Sequence, residues 1–543
     1  MILRIKKLTP GRIALAVACI CMLVYLPSLT CGFVNFDDPE YVLNNSAIRQ
    51  LNGDFFASVF TQVHIVWWMP LTWISLALDY HFWGLNPLGY HLTNILLHAV
   101  NAGLVVFIAD RLLTGMGRGN SSQTGSYTYP ATLLLAGLLW GIHPLRVESV
   151  TWVTERKDVL NGLFTLGSLL FYLCYARKKG RGEAAGRDYC FSLVLFGLSL
   201  MAKSVSVVLP LMLLVADWYP FGRLRRGSIL PLLVEKIPFF AMSAAMTVVT
   251  FYLTSRSNYR VSFEYFPLSQ RIAVSGNALF EYLRLLLVPV GISPLHLIAE
   301  PIPFRYTVTT IISAGICVGV YTLRKQRLIP ALWLCFLLPL LPVLAFFQNG
   351  DQAFASRFTY LPSVAPSIAA AALIAGGYTK LTAAGNRYAR ILVALCAAGL
   401  LIYATMTVRL IGFWKDTATF WTRAIDLEPS AIFYKERGKF YYSQGNHDAA
   451  VADYTAAIKG ATGYLRVNVF NLYILRGEAF HAAGRFAEAV DDYTAAIGMY
   501  PHPAYYRVRG LALKSLGKMR EAEEDFSRAG DHSGAIDWYE KSP

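Results

Sequence analysis

The sequence predicts an all-α protein in two parts, a polytopic membrane helical bundle of about eleven spans followed by an α-solenoid. Three observations carry this expectation. Of 543 residues, 55% are hydrophobic and 15% charged, where a water-soluble chain averages about 25% charged. Apolar runs recur at the roughly 20-residue length that crosses hydrocarbon as a helix. From Phe413 onward those runs stop and an in-phase repeat begins.

The first apolar run follows the basic start "MILRIKKLTPGR". It is longer than a signal-peptide core and has no clear small-x-small cleavage site, so it reads as a retained first span with Arg4, Lys6 and Lys7 inside. Spans are then expected near 12–30, 91–112, 131–147, 159–176, 189–201, 205–219, 233–254, 307–323, 329–347, 361–378 and 391–412. Residues 272–293 are apolar but interrupted by Glu281, Arg284 and Pro289, which predicts an interfacial or re-entrant helix. Eleven crossings put the C-terminus outside. The net charge of +15 is distributed in short loops such as "RKKGRGEAAGR" (177–187), "GRLRRG" (222–227) and "RKQR" (324–327). Basic loops of this kind mark cytoplasmic span ends, and they argue against a nucleic-acid partner. The first external loop, 31–90, carries Asp37, Asp38, Glu40, Asp54 and Asp79 against Arg49 alone among Lys and Arg. Eight cysteines fall in or beside apolar segments without zinc spacing.

In the last part, "YKERGKFYYSQGNHDAAVADYTAAI" (434–458) recurs at 473–497 and, more weakly, at 506–530. Glycine, tyrosine and alanine recur at matching offsets, as at Gly438 and Gly477. A period near 34 with this pattern resembles the tetratricopeptide repeat (TPR). The domains are therefore 1–412, membrane, and 413–543, about three full repeats plus a partial one. Repeats of this type stack into a solenoid whose concave face takes a partner, with Arg437, Arg476 and Arg509, beside Lys435 and Arg507, as acceptor-groove candidates.

Polar clusters gather at the expected external ends of the spans. They are Asp37–Asp38, "HPLRVESVTWVTERKDVL" (143–160), "MAKSVSVVLP" (201–210) with Lys203, and "NGDQAFASRFTYLPS" (349–363) with Asp351 and Arg357. Loop 255–306 adds Arg256, Arg260, Arg271 and Arg284. Ionisable groups at such depth are costly and mark function. A carboxylate there can take a proton from an attacking hydroxyl, and cations can hold a phosphate leaving group.

Those clusters, with "NFDDPEYVLNN" and "LPLMLLVADWYPFGR" and in this order before C-terminal repeats, resemble the GT-C glycosyltransferases and among them the TMTC-like transmembrane-and-TPR proteins and their bacterial relatives. The resemblance covers nearly the whole chain. It implies an enzyme moving a sugar, mannose by analogy, from a polyprenyl-phosphate donor to a protein hydroxyl on the external face, with the TPR domain presenting the acceptor. It implies Asp38 as catalytic base with Asp37 second, and Glu148 as an assisting carboxylate. Arg357, Lys203 and Arg156 would bind the donor phosphate, and His143, Glu155 and Tyr360 would line the substrate site. Related sequences often carry an acidic residue before that arginine, where this chain has Ser356. Relatives differ in metal use: no cofactor is implied with certainty, and a divalent cation, Mg or Mn, is compatible with the carboxylates. The implied partners are the polyprenyl-phosphate-linked sugar, an acceptor protein or peptide, and membrane lipid. The implied location is a bacterial inner membrane with a periplasmic TPR domain. Two rivals from other classes are a non-enzymatic TPR scaffold for envelope assembly, which leaves Asp37, Asp38 and Glu148 without a task, and a lipid-linked sugar flippase, which would need polar groups through the bilayer depth.

Overall fold

The structure, a computed structural model, describes residues 8–63, 65, 67–115, 128–224, 229–256, 266–344, 346, 352–461 and 468–530. Arg4, Lys6, Lys7, Arg260 and Asp351 lie outside these residues. The chain divides into two compact units, Met1–Lys415 and Asp416–Pro543. Both are helical. Among the described residues the one sheet has two short antiparallel strands, His296–Leu297 and Gln352–Phe354.

In the first unit, seven helices are long and apolar enough to cross a membrane among the described residues. The number is eight if Thr128–Gly141 and Pro144–Thr151, bent by 51°, form one span. All eleven expected segments fall on helices, but three of them are short: the 17-residue Gly186–Ala202, and Ser204–Trp218 and Leu328–Val343. At 1.5 Å per residue such helices reach about 25 Å or less, under the roughly 30 Å of hydrocarbon. In these segments the apolar residues continue beyond a single α-helix, through helix ends and 3₁₀ turns. Residues 272–293, expected at the interface, begin inside one 20-residue helix, Leu268–Leu287, that is not among the helices long and apolar enough to cross.

The first span starts at Pro10 in its first turn, where the missing N–H costs nothing, with Thr9 accepting from the Arg12 N–H. It packs on Pro87–Gly115 and Thr128–Gly141 through small residues. A Cβ added to Gly137 would lie 2.7 Å from Val106 and 2.9 Å from Val17, and one at Gly141 would lie 2.5 Å from the Cys21 sulfur. Close backbone approach, rather than apolar burial alone, holds helices together in lipid. The Thr128–Gly141 helix ends before His143–Pro144. Here the His143 ring accepts from the Leu145 N–H at 3.2 Å and starts a 3₁₀ turn that redirects the chain across one end of the bundle.

The second unit contains Thr417–Leu427 and then three helix pairs: Ala431–Ser443 with His447–Lys459, Val469–Ala482 with Phe486–Met499, and Pro503–Ser515 with Met519–Ala529. In each pair a glycine receives the ring of the second helix. A Cβ at Gly438, Gly477 or Gly510 would meet Tyr454, Tyr493 or Phe526 at 2.6–2.8 Å. The groove candidates Arg437, Arg476 and Arg509 are corrected by the same repetition. Each forms a two-pronged bond, at 2.7–2.8 Å, to the aspartate sixteen residues on: Asp453, Asp492 and Asp525. A fork-to-fork pair of this kind ties the two helices of one repeat together, so these charges serve the repeat and not an acceptor.

Replacing Arg476 with alanine leaves Asp492, 5% exposed, without its cation. In a chain cut to residues 416–543, Arg476→Ala is expected to lower stability by about 2–3 kcal/mol in urea unfolding, and Arg476→Lys by less, because lysine lacks the planar fork.

Candidate active site

The turn at His143 delivers "RVESVTWVTERKD" to one end of the bundle, and most of its charges are buried there. Burial forces pairing, since an unpaired ion away from water is expensive. Glu155, 1% exposed, is met by three cations: Lys157 at 3.3 Å, Lys203 at 3.2 Å and Arg357 at 3.3 Å. Lys203 also donates to Asp158 at 2.5 Å, and Asp158 accepts from the Ser149 hydroxyl at 3.0 Å. Glu148 takes the Arg357 guanidinium on one oxygen and the Arg357 backbone N–H on the other, at 2.9 Å. Lys157 reaches out to Asp37 at 3.7 Å. The aromatic floor is Trp152, with Lys157 and Arg357 both over its ring at 5.6 and 5.5 Å. Cations over an indole face gain electrostatic attraction that lysine and arginine in water lack.

Arg357 and Lys203 both line one small recess, with Asp158, Asn161, Phe358 and Tyr360. Their side chains keep 12% and 16% exposure. Bonds to Glu148 and Glu155 hold the guanidinium well above its ordinary pKa, outweighing burial, so the cation is permanent. The arrangement presents two fixed cations on a recess wall, with carboxylates around them.

The two adjacent aspartates are placed differently. Asp38 is 1% exposed. Its Oδ2 accepts from the Val34 N–H at 2.8 Å, and its Oδ1 accepts from both the Thr154 N–H, at 3.1 Å, and the Thr154 hydroxyl, at 2.5 Å. Asp38 thus staples the loop after the first span to the 152–155 turn. Asp37 is the accessible one, with its side chain 37% exposed beside Lys157.

Four other expected roles are corrected. Arg156 is wholly buried and gives four of its five N–H donors to Asn94, Ser75, Asp79 and the Tyr90 carbonyl at 2.5–2.9 Å, so it is not presented to a phosphate. His143 has both ring nitrogens on backbone groups, those of Leu145 and Leu286. The Tyr360 hydroxyl is turned into the bundle, to His98 and Asn101 at 2.9 Å, although its ring lines the recess. Glu148 acts on Arg357 and holds it in place. Sequence reasoning passed over Trp152 and Thr154, and it gave no role to Lys157 and Asp158, charges of the 143–160 cluster. The available signal was the alternation of sign in "ERKD", which at a span end demands partners.

A divalent cation does not fit these residues. Glu148, Glu155 and Asp158 are engaged by Arg357, Lys157 and Lys203, and among the described residues no three His, Cys, Asp or Glu side chains group to hold a metal. No step below uses one.

Comparison with known proteins gives three kinds of similarity. A tetratricopeptide-repeat family model matches residues 417–464 and 474–536. Protein O-mannosyl-transferase TMTC2 of Homo sapiens is 29% identical over 222 residues, 39% of this chain and 25% of that protein. Protein O-mannosyl-transferase TMTC4 of Homo sapiens is 31% identical over 193 residues, 34% of this chain and 26% of that protein. Drosophila melanogaster Tmtc1, of the same name, is 33% identical over 167 residues, 29% of this chain and 17% of that protein. The matches thus span between about a sixth and a quarter of the length of these relatives. Among solved structures, ArnT from Cupriavidus metallidurans, bound to undecaprenyl phosphate, aligns at a TM-score of 0.35 and 15% identity, over 88% of this chain and 79% of that chain. An overlap that loose carries no argument about fold or ligand.

Asp38 lies between spans, and its burial, opposed by the Thr154 hydroxyl and by the Val34 and Thr154 N–H groups, pushes its carboxyl up from 3.8 to about 6. A group raised in the folded state contributes stability below its unfolded pKa and loses it as pH rises through the folded one. Stability from this group therefore falls from about pH 4 to about pH 6, by at most ~3 kcal/mol. Thermal unfolding in detergent is expected to show that slope in the native chain and a flatter one in Asp38→Asn.

Proposed function

We infer, for a TMTC-like multi-span membrane protein with a C-terminal tetratricopeptide-repeat unit, a membrane glycosyltransferase that moves a sugar from a polyprenyl-phosphate donor to a protein hydroxyl. The observation that carries this reading is the recess lined by Lys203 and Arg357, whose charge network reaches an accessible carboxylate, Asp37, through Glu155 and Lys157. The names of the sequence relatives, protein O-mannosyl-transferases, support it and favour mannose.

In this reading the donor's phosphodiester sits against Lys203 and Arg357. Transfer breaks the bond between the anomeric carbon and the phosphate oxygen and forms one to the acceptor oxygen, while the acceptor's proton goes to a carboxylate. Access decides which carboxylate, because a base must reach the proton it takes. Asp37 is exposed and joined to the network through Lys157, whereas the Asp38 oxygens are held by Val34 and Thr154. Asp37 is therefore the base, and Asp38 fixes the loop that carries it. The phosphate leaves with its charge met by Arg357, which Glu148 has already oriented, so little reorganisation is needed as charge develops. The repeat unit supplies the acceptor-binding surface through groove residues other than the clasped arginines. The protein lies in a bacterial inner membrane with the site and the repeats on the periplasmic side.

Purified chain incubated with labelled polyprenyl-phosphate sugars and candidate acceptors tests the reading. Asp37→Asn is expected to lower kcat about 10²–10⁴-fold. Lys203→Gln and Arg357→Gln are expected to raise KM for the donor with a smaller change in kcat. Undiminished transfer by Asp37→Asn would remove it as the base. Absence of transfer from every donor would favour a scaffold.

A further inference from the structure

The charges around the recess balance before any ligand arrives. Four carboxylates, Asp37, Glu148, Glu155 and Asp158, face Lys157, Lys203 and Arg357 in contact. A fourth cation, Arg146, is 0% exposed. It donates to the Thr359 hydroxyl at 2.6 Å and lies over the rings of Trp140 and Tyr360. Asp38 is bonded by neutral donors and, when ionised, only adds negative charge. An array with no positive surplus does not attract an anion.

Asp158 stands where this matters. It lines the recess together with Lys203 and Arg357, and it shares the Lys203 ammonium with Glu155. The groups that face it are Lys203, Glu155, the Ser149 hydroxyl, Arg357, Arg146 and Tyr360. Two carboxylates on one ammonium already repel each other, and a third negative group raises that cost further in a poorly hydrated site. A proton on Asp158 removes the conflict. It offsets the charge the ligand brings, releases Lys203 towards the ligand and makes the carboxyl a hydrogen-bond donor to a phosphate oxygen.

We propose that anionic phosphate binds this recess only together with a proton, taken from solvent onto Asp158. The proposal rests on the phosphate-binding reading above and adds its regulation: one O–H bond forms on Asp158 for each phosphate bound. Occupancy by the donor is thereby tied to external pH. Asp158 acts as a proton-carrying gate for the ligand, separate from the base that serves the acceptor.

The test uses the full chain in detergent and a farnesyl methyl phosphodiester, which keeps a single negative charge between about pH 5 and 9. Calorimetry at pH 7.5 in buffers of different ionisation enthalpy counts the protons exchanged. About one proton taken up per ligand is expected, with Kd rising up to about tenfold per pH unit on the alkaline side. Asp158→Asn, neutral at every pH, is expected to bind without uptake and more tightly than the native chain at pH 8. Asp158→Glu is expected to keep the uptake. Binding without proton uptake by the native chain, or uptake undiminished in Asp158→Asn, overturns the proposal and leaves the transfer reading standing. No binding of the probe at any pH strikes the phosphate site itself. If Asp158→Asn does not fold, the native chain's proton count and its Asp158→Glu counterpart decide.

Discussion

Glu155 is the charge on which the other charges at its end of the bundle depend. Nearly all of its surface is removed from water, and three cations from three different elements close on it: Lys157 from the following helix, Lys203 from the end of Gly186–Ala202, and Arg357 from the 3₁₀ turn Ser356–Thr359. Each cation then has a second carboxylate, Asp37, Asp158 or Glu148. The result is a branched chain of alternating sign in which no ion is buried alone, the condition under which such burial is tolerated. Because every member touches another, the recess wall inherits its shape from the network and not from any one side chain.

The membrane character, the helical fold and the repeats were legible in the sequence because each rests on a periodic signal: span length, loop charge, and a period near 34. The cluster's composition was also legible, since Glu148 bonds Arg357, and Asp37 and Lys203 join the same network through Lys157 and Glu155. What stayed hidden was the division of labour. Asp37 and Asp38 are adjacent letters with opposite fates, decided by a hydroxyl more than a hundred residues away, at Thr154. Arg156 and Lys157 are adjacent too. One turns inward to Asp79 and Asn94, and the other turns to Glu155 and the Trp152 ring. On a 3₁₀-to-helix junction successive residues point in different directions, and a string of letters does not say where the junction falls.

The repeat unit shows a related error with a different origin. A cation on the first helix of a repeat reads as a groove residue when only its own helix is considered. The aspartate that neutralises it is on the second helix, at a constant offset of sixteen in all three pairs. That offset was present in the sequence as an Arg–Asp spacing repeated in all three pairs. Charge pairing at this spacing is part of how the repeat closes, just as the glycine–aromatic contact is.

The pairing of Glu148 with Arg357 has a consequence for how the chain is made. The two residues are 209 positions apart, and Lys203 follows Glu155 by 48. At roughly 5–20 residues per second of synthesis, Arg357 appears on the order of 10–40 s after Glu148. During that interval the first spans are already entering the bilayer with a carboxylate whose counter-ion does not yet exist. Water, or a chaperone of membrane insertion, must hold that end of the young bundle open until the later segment arrives. The end of the protein that becomes the recess thus closes only after the turn Ser356–Thr359 has been made.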